Sequence, residues 1–279
     1  MRPATSLQSM PIYSCGATSP GVIRSRPRRL ATWALALLAA GTLVGCGSSE
    51  RAGIERIEVG RGAEGAVVLK PAGRDGPLPT VVFLHGWRLV EPERYGAWLE
   101  HLVAGGNAVV YPTYEPALGS LPLAWLEDAL EGVRAALEEV EVAKGSLVVT
   151  GHSAGGALAA DYAAAAQSAG LPPARAVFAV YPGRRARGFP GLIPATDPAL
   201  IPSTTRIVAL VGADDRVVGD EAARALVEGA VRVPRRWRRL EVVDDPDVDD
   251  HNAPQRADAE ARRTFWDRLD RLIAAARAR

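Results

Sequence analysis

The sequence predicts an α/β fold: a mostly parallel, twisted sheet with helices on both faces. Two patterns carry that expectation. From Ile54 onward, runs of β-forming residues alternate with runs of helical period, which is what parallel strands joined by crossover helices require. The strand-like runs are also short and apolar throughout, as in Thr80–Leu84 (TVVFL). Such runs suit strands covered on both sides.

The elements follow in order. Ile54–Val59 and Ala66–Lys70 read as an opening pair of strands, and Thr80–Leu84 as the first fully buried one. Residues 93–103 form a helix that Gly105-Gly106 ends, and 108–111 is the next strand. Apolar residues at 123, 126, 130, 133, 137 and 140 keep a helical spacing, which predicts a long helix over 123–142. Strand 147–150, helix 154–168, strands 176–181 and 206–211, helix 220–228, strand 237–243 and a final helix from about residue 255 complete the order. No repeat interrupts it.

The first 53 residues lie outside that pattern. Arg24, Arg26, Arg28 and Arg29 precede an apolar run from Leu30 to Val44, broken only by Thr32, Gly41 and Thr42. About 15 residues is short for a membrane span and right for a signal-peptide core. The run ends in Leu43-Val44-Gly45-Cys46, followed by Gly47-Ser48-Ser49. This resembles the lipobox of bacterial lipoproteins. The resemblance implies removal of residues 1–45, lipidation of Cys46, a tether over 46–53 ahead of the folded domain 54–279, and a chain held extracytoplasmically at the bacterial cell envelope. Membrane lipid is then one partner, with stable anchoring by two or more acyl chains. Arg28-Arg29 leaves twin-arginine export open beside the general route, and Met10 is an alternative start.

Processing changes the bulk properties. The whole chain carries 33 basic and 32 acidic residues. Five of the basic and none of the acidic residues precede Cys46, so the mature charge is 28 − 32 = −4. Charge therefore gives no support to nucleic-acid binding. With Cys15 removed and Cys46 acylated, the mature domain has no disulfide.

The most informative stretch is Val148-Val149-Thr150-Gly151-His152-Ser153-Ala154-Gly155-Gly156-Ala157. Here a strand turns sharply into a helix, and Ser153 sits on the bend. Side chains crowd such a turn, and glycine at 151 and 155 removes two of them. The small residues after Ser153 let the helix approach the sheet, and its N-terminal N–H groups suit a developing oxyanion. Pattern and placement together match the G-x-S-x-G nucleophile elbow.

From this point the chain resembles the α/β-hydrolase family, esterases and lipases in particular, over nearly all residues from Ile54 on. The resemblance implies a Ser–acid–His triad in that chain order and a small-molecule ester as substrate, with neither cofactor nor metal. Ser153 is the nucleophile. His251 is the only histidine that follows it with room for an acid between, and it lies in the loop DDPDVDDHNAP before the last helix. The acid follows strand 206–211, where Asp214 and Asp215 are adjacent. The family pattern favours Asp215 and leaves Asp214 as the alternative. Leu84-His85-Gly86-Trp87 resembles the family's H-G-x loop, which assigns the oxyanion donors to the backbone N–H groups of Trp87 and Ala154.

The other chemistry-bearing residues have plainer readings. His85 braces its loop, His101 is structural, and His152 packs beside the nucleophile. Asp244, Asp245, Asp247, Asp249 and Asp250 crowd before His251, but the loop lacks the glycine and terminal glutamate of an EF-hand and reads as solvated. Arg184, Arg185 and Arg187 open the Pro-rich segment 182–202 and read as part of a solvated surface loop, with attraction of an anionic substrate or lipid head groups as the alternative. The segment is too short for a large cap and predicts a small or absent lid over an open pocket. Arg235, Arg236, Arg238 and Arg239 around Trp237 read as solvent-facing positions whose stems cover apolar surface. An acyltransferase, or an amide or small-peptide hydrolase, uses the same triad. The alternative of a different class is a non-catalytic envelope protein on a hydrolase scaffold.

Overall fold

The computed structural model describes residues 53–115, 122–184 and 193–278. The expected signal peptide, Cys46, all but the last residue of the tether, and Arg185 and Arg187 lie outside these residues.

Eight strands form one sheet: β1 (Ile54–Val59), β2 (Ala66–Pro71), β3 (Thr80–Leu84), β4 (Ala108–Pro112), β5 (Val148–His152), β6 (Ala176–Val180), β7 (Arg206–Gly212) and β8 (Arg238–Val243). Their spatial order is β1-β2-β4-β3-β5-β6-β7-β8. Only β2 runs antiparallel to its neighbours, and every pair from β4 to β8 is parallel. The strands β3 to β6 are buried at every position, as their unbroken apolar character requires.

Alternate residues of each strand feed two cores. Val82, Leu84 and Val149 pack with α2 (Trp125–Ala136), α3 (Ala154–Ala165) and α4 (Glu221–Gly229) on one face. Val81, Phe83 and Val148 pack with α1 (Gly96–Ala104) and α6 (Asp267–Arg277) on the other. Between α4 and α6 lie a single turn, α5 (Ala259–Ala261), and a π-helical turn, Arg262–Trp266. His101 fastens α1 to α6, its Nε2 lying 2.7 Å from Asp270 Oδ2.

Two helices are shorter than their sequence periods. The segment expected to be helical over 123–142 is α-helical only from Trp125 to Ala136. The chain then turns, buries Val140 at 4% exposure and pairs Val142 with Leu78 in a parallel bridge. Apolar spacing continues past the helix because these residues enter the same core by another path. Similarly, α3 ends at Ala165 rather than at residue 168.

Candidate active site

The carboxyl ends of β3, β5 and β7 and the loop after β8 converge on one pocket. Ser153 occupies the turn from β5 into α3 with φ 58° and ψ −120°, a conformation a non-glycine residue holds only when its surroundings impose it. They do so here. The Ser153 N–H donates to Val180 O at 3.0 Å, and Ser153 O accepts from Gly183 N at 3.0 Å and Ala157 N at 3.2 Å. The flanking glycines are required by contact. A Cβ on Gly151 would lie 2.3 Å from Gly155 O and 2.7 Å from Leu84 O, and one on Gly155 would lie 2.1 Å from Leu84 O and 2.4 Å from His85 O. The elbow is thus wedged against the end of β3, the strand that leads into the His85–Trp87 loop.

Ser153 Oγ lies 3.0 Å from His251 Nε2, and His251 Nδ1 lies 2.7 Å from Asp215 Oδ2. The aspartate fixes the ring: Nδ1–H donates to the carboxylate and leaves Nε2 to accept the hydrogen bond of the Ser153 hydroxyl. The other carboxylate oxygen, Asp215 Oδ1, accepts N–H groups from Val217 at 2.9 Å and Val218 at 3.2 Å. Burial acts to raise the Asp215 pKa, but the His251 ring and these two amides outweigh it and hold the carboxyl below its ordinary value. Asp214 turns outward instead and pairs with Arg216 at 2.8 Å.

The loop after β3 is held through several of its polar groups. The Gly86 N–H donates to Tyr95 Oη at 3.2 Å. Gly86 O accepts from His85 Nδ1–H at 2.8 Å and from Leu89 N at 3.0 Å. Tyr114 donates its hydroxyl to His85 O. Arg88, at φ 64°, donates its N–H to Glu115 Oε2 at 2.7 Å. Among the described residues the backbone N–H groups of Trp87 and Ala154 have no partner, and both residues line the pocket beside Ser153. The first amides of a helix have no intrahelical acceptor, which accounts for Ala154.

His152 does more than pack. Its Nε2 lies 2.8 Å from His251 O and its Nδ1 lies 2.9 Å from Tyr95 Oη. A carbonyl only accepts, so Nε2 carries the proton and Nδ1 accepts from the tyrosine. The result is a directed chain: Gly86 N–H to Tyr95 O–H to His152 to the carbonyl of His251. Burial first, and the His251 ring second, lower the His152 pKa to about 3, so the ring is neutral at working pH. His85, stacked on Tyr114 at 4.1 Å, is likewise pushed by burial to about 4.

Glu115, Tyr95 and Tyr114 had no signal in the sequence. Each meets the loop only through the fold, across 9 to 29 residues. Burial raises the Glu115 carboxyl pKa despite the Arg88 amide, and the Trp87 indole lies close enough to favour the charged form without meeting hydrogen-bond geometry.

Two expectations about arginines change. Arg184 is not a solvated loop residue: it makes a forked pair with buried Asp161 at 2.8 and 2.7 Å and donates to Pro194 O at 2.7 Å. Arg238 is not solvent-facing: it donates to Glu228 O at 2.9 Å and also to Val227 O, at the C-terminal end of α4, where a cation is favoured.

The pocket is about 400 Å³, with Trp87, Leu89, Ile193 and Val217 as its apolar wall. The sequence pattern of the alpha/beta hydrolase fold family matches residues 81–222, just over half of the chain, and includes Ser153. The chain belongs to the α/β-hydrolase family. Solved structures of this α/β-hydrolase's fold include an esterase from the fungus Rhizomucor miehei, with a TM-score of 0.60 at 17% identity over 82% of this chain and 84% of that one. The hyperthermophilic esterase of the archaeon Pyrobaculum calidifontis gives 0.58 at 21% identity over 80% and 83%. The thermostable esterase of Pseudomonas putida ECU1011 gives 0.58 at 19% over 81% and 82%. At these identities the likeness is one of fold. No curated protein matches the sequence.

Proposed function

We propose that this α/β-hydrolase cleaves carboxylic esters of small molecules through a Ser153 acyl-enzyme, and that it does so anchored at the cell envelope through Cys46. One observation carries the catalytic reading. The serine hydroxyl, imidazole and carboxylate are in line at 3.0 and 2.7 Å on a strained elbow, inside a pocket that also holds two unengaged amides.

The steps follow from the geometry. Ser153 Oγ attacks the ester carbonyl as its proton passes to His251 Nε2. Asp215, held by two amides, keeps Nδ1 protonated and stabilises the imidazolium. The N–H groups of Trp87 and Ala154 receive the tetrahedral oxyanion. His251 Nε2 then returns the proton to the leaving alkoxide, which departs as the alcohol. A water, deprotonated by the same nitrogen, attacks the acyl-enzyme and frees the acid and Ser153. The esterases among the fold neighbours support the ester over other acyl substrates. The anchoring rests on the arginine cluster, apolar run and cysteine of residues 24–46.

The test is hydrolysis of a p-nitrophenyl ester series by wild type and Ser153→Ala. Turnover falls on the order of 10⁶-fold in the variant with an unchanged melting profile. The 400 Å³ pocket predicts that short acyl chains are preferred. Wild-type rates in Ser153→Ala would overturn the mechanism. For the anchor, Cys46→Ala moves the protein out of the membrane fraction, and membrane retention of that variant would contradict it.

A further inference from the structure

We infer that the groove between the starts of β7 and β8 and the helix α6 binds a phosphate-bearing anion. Arg206 from β7, Arg236 from the turn before β8, Arg239 from β8, and Arg268 and Arg271 from α6 line one cavity of about 360 Å³. Alternation places Arg206, Val208, Arg239 and Glu241 on the same side of the sheet, toward α6, whose residues 268, 271, 272 and 275 form the facing stripe. Glu241 is the only carboxylate among the described lining residues. Five guanidiniums against one carboxylate leave a local charge of +4.

That charge is not neutralised within the described protein. Glu241 is shared at the edge of ion-pair range, 3.6 Å from Arg239 and 3.7 Å from Arg268. Among the described residues Arg206, Arg236 and Arg271 form no ion pair. Two donors of groove residues, Arg206 Nε and Arg268 Nη1, are buried with no acceptor. A buried cationic donor without an acceptor is costly. Arg175 Nε and Arg238 Nε are also buried without an acceptor, but among the described residues only in the groove do two such arginines share a cavity with three further guanidiniums. Several arginines elsewhere meet carboxylates. Arg184 is met by Asp161, Arg56 by Glu58 and Glu93, and Arg256 by Asp250 and Asp258. The indole of Trp237 holds two of the guanidiniums in place, with Arg206 at 5.3 Å and Arg236 at 4.9 Å from its ring centre.

Converging guanidiniums select for an anion with several oxygens and more than one charge. Phosphate meets that need better than a single carboxylate, because it accepts forked pairs from more than one arginine at once. The groove shares no lining residue with the Ser153 pocket and lies at the amino ends of β7 and β8, whereas Ser153 follows the carboxyl end of β5. It therefore holds a second ligand, not the ester under attack. The phosphate belongs either to a soluble compound or to a lipid headgroup.

The test uses the full chain and the double variant Arg236→Glu/Arg271→Glu. Both positions are exposed, so the fold is retained, as the melting temperature and ester hydrolysis will check. Calorimetric titration with inorganic pyrophosphate reads the soluble source. Co-sedimentation with phosphatidylcholine vesicles, with and without phosphatidylglycerol, reads the headgroup. The expected result is saturable one-to-one pyrophosphate binding, or phosphatidylglycerol-dependent sedimentation, that weakens at least about tenfold in the variant. Absence of both, or equal binding by the variant, overturns the inference.

Discussion

The hydroxyl of Tyr95 works in two directions: it accepts the Gly86 amide and donates to His152, which in turn holds the carbonyl of His251. One buried chain thus ties the loop that presents the Trp87 N–H to the segment that presents the imidazole. His152→Phe keeps much of the volume and removes both ends of the link. It leaves the Tyr95 hydroxyl and the His251 carbonyl without their partner, at a cost of about 1–3 kcal/mol each if no water replaces it. Because the ring touches no reacting atom, kcat is expected to fall roughly 10- to 100-fold through misplacement of His251, with KM little changed. Steady-state kinetics and chemical denaturation of the variant check both. Unchanged kcat would make His152 a packing residue only. None of this was legible beforehand. The elbow and His251 could be read from a motif and from elimination, whereas the partners of His152 lie 57 and 99 residues away and meet it only through sheet order.

At the scale of elements, the contact that sets the site is between the turn into α3 and the end of β3. Leu84 O and His85 O approach Gly155 so closely that a methyl group there would sit 2.1 and 2.4 Å from them. Those atoms are backbone and cannot rotate aside. Gly155→Ala must therefore push the elbow off the His85–Trp87 loop. The expected outcome is a loss of roughly 3 kcal/mol, the upper end for an overpacked site, together with a large drop in kcat. Thermal melting and kinetics of the variant test it, and near-native values for both would show that the turn can yield. The sequence indicated this crowding through the glycines themselves. It did not indicate where α2 stops, because Leu137 and Val140 continue its apolar spacing while the chain has already turned toward Leu78. Spacing reports which residues are buried, not which path takes them there.

For the molecule as a whole, two fully buried histidines link stability to pH. His85 and His152 have folded pKa values lowered to about 4 and about 3, while in the unfolded chain both titrate near 6.5. Between about pH 6.5 and those lower values the unfolded state binds protons that the folded state refuses, so stability falls as pH falls. Asp215 adds the same sign at lower pH: its stabilisation is present above its unfolded value and lost as pH drops through its depressed folded one. Across their windows His85 contributes on the order of 3 kcal/mol and His152 on the order of 5 kcal/mol. Urea midpoints are expected to be level from about pH 7 to 8 as far as these groups are concerned and to decline steadily toward about pH 4, with a shallower decline in His152→Phe. A wild-type midpoint independent of pH over that range would contradict neutral burial of the two rings.

The proposed activity rests on Ser153 acting as a nucleophile activated by His251 and Asp215. The most direct measurement is intact-protein and peptide mass spectrometry after exposure to a fluorophosphonate. The predicted result is one adduct per chain, located at Ser153, formed fast in wild type and lost or slowed by several orders of magnitude in His251→Ala. An unlabelled Ser153, or equal labelling when His251 is removed, would contradict it.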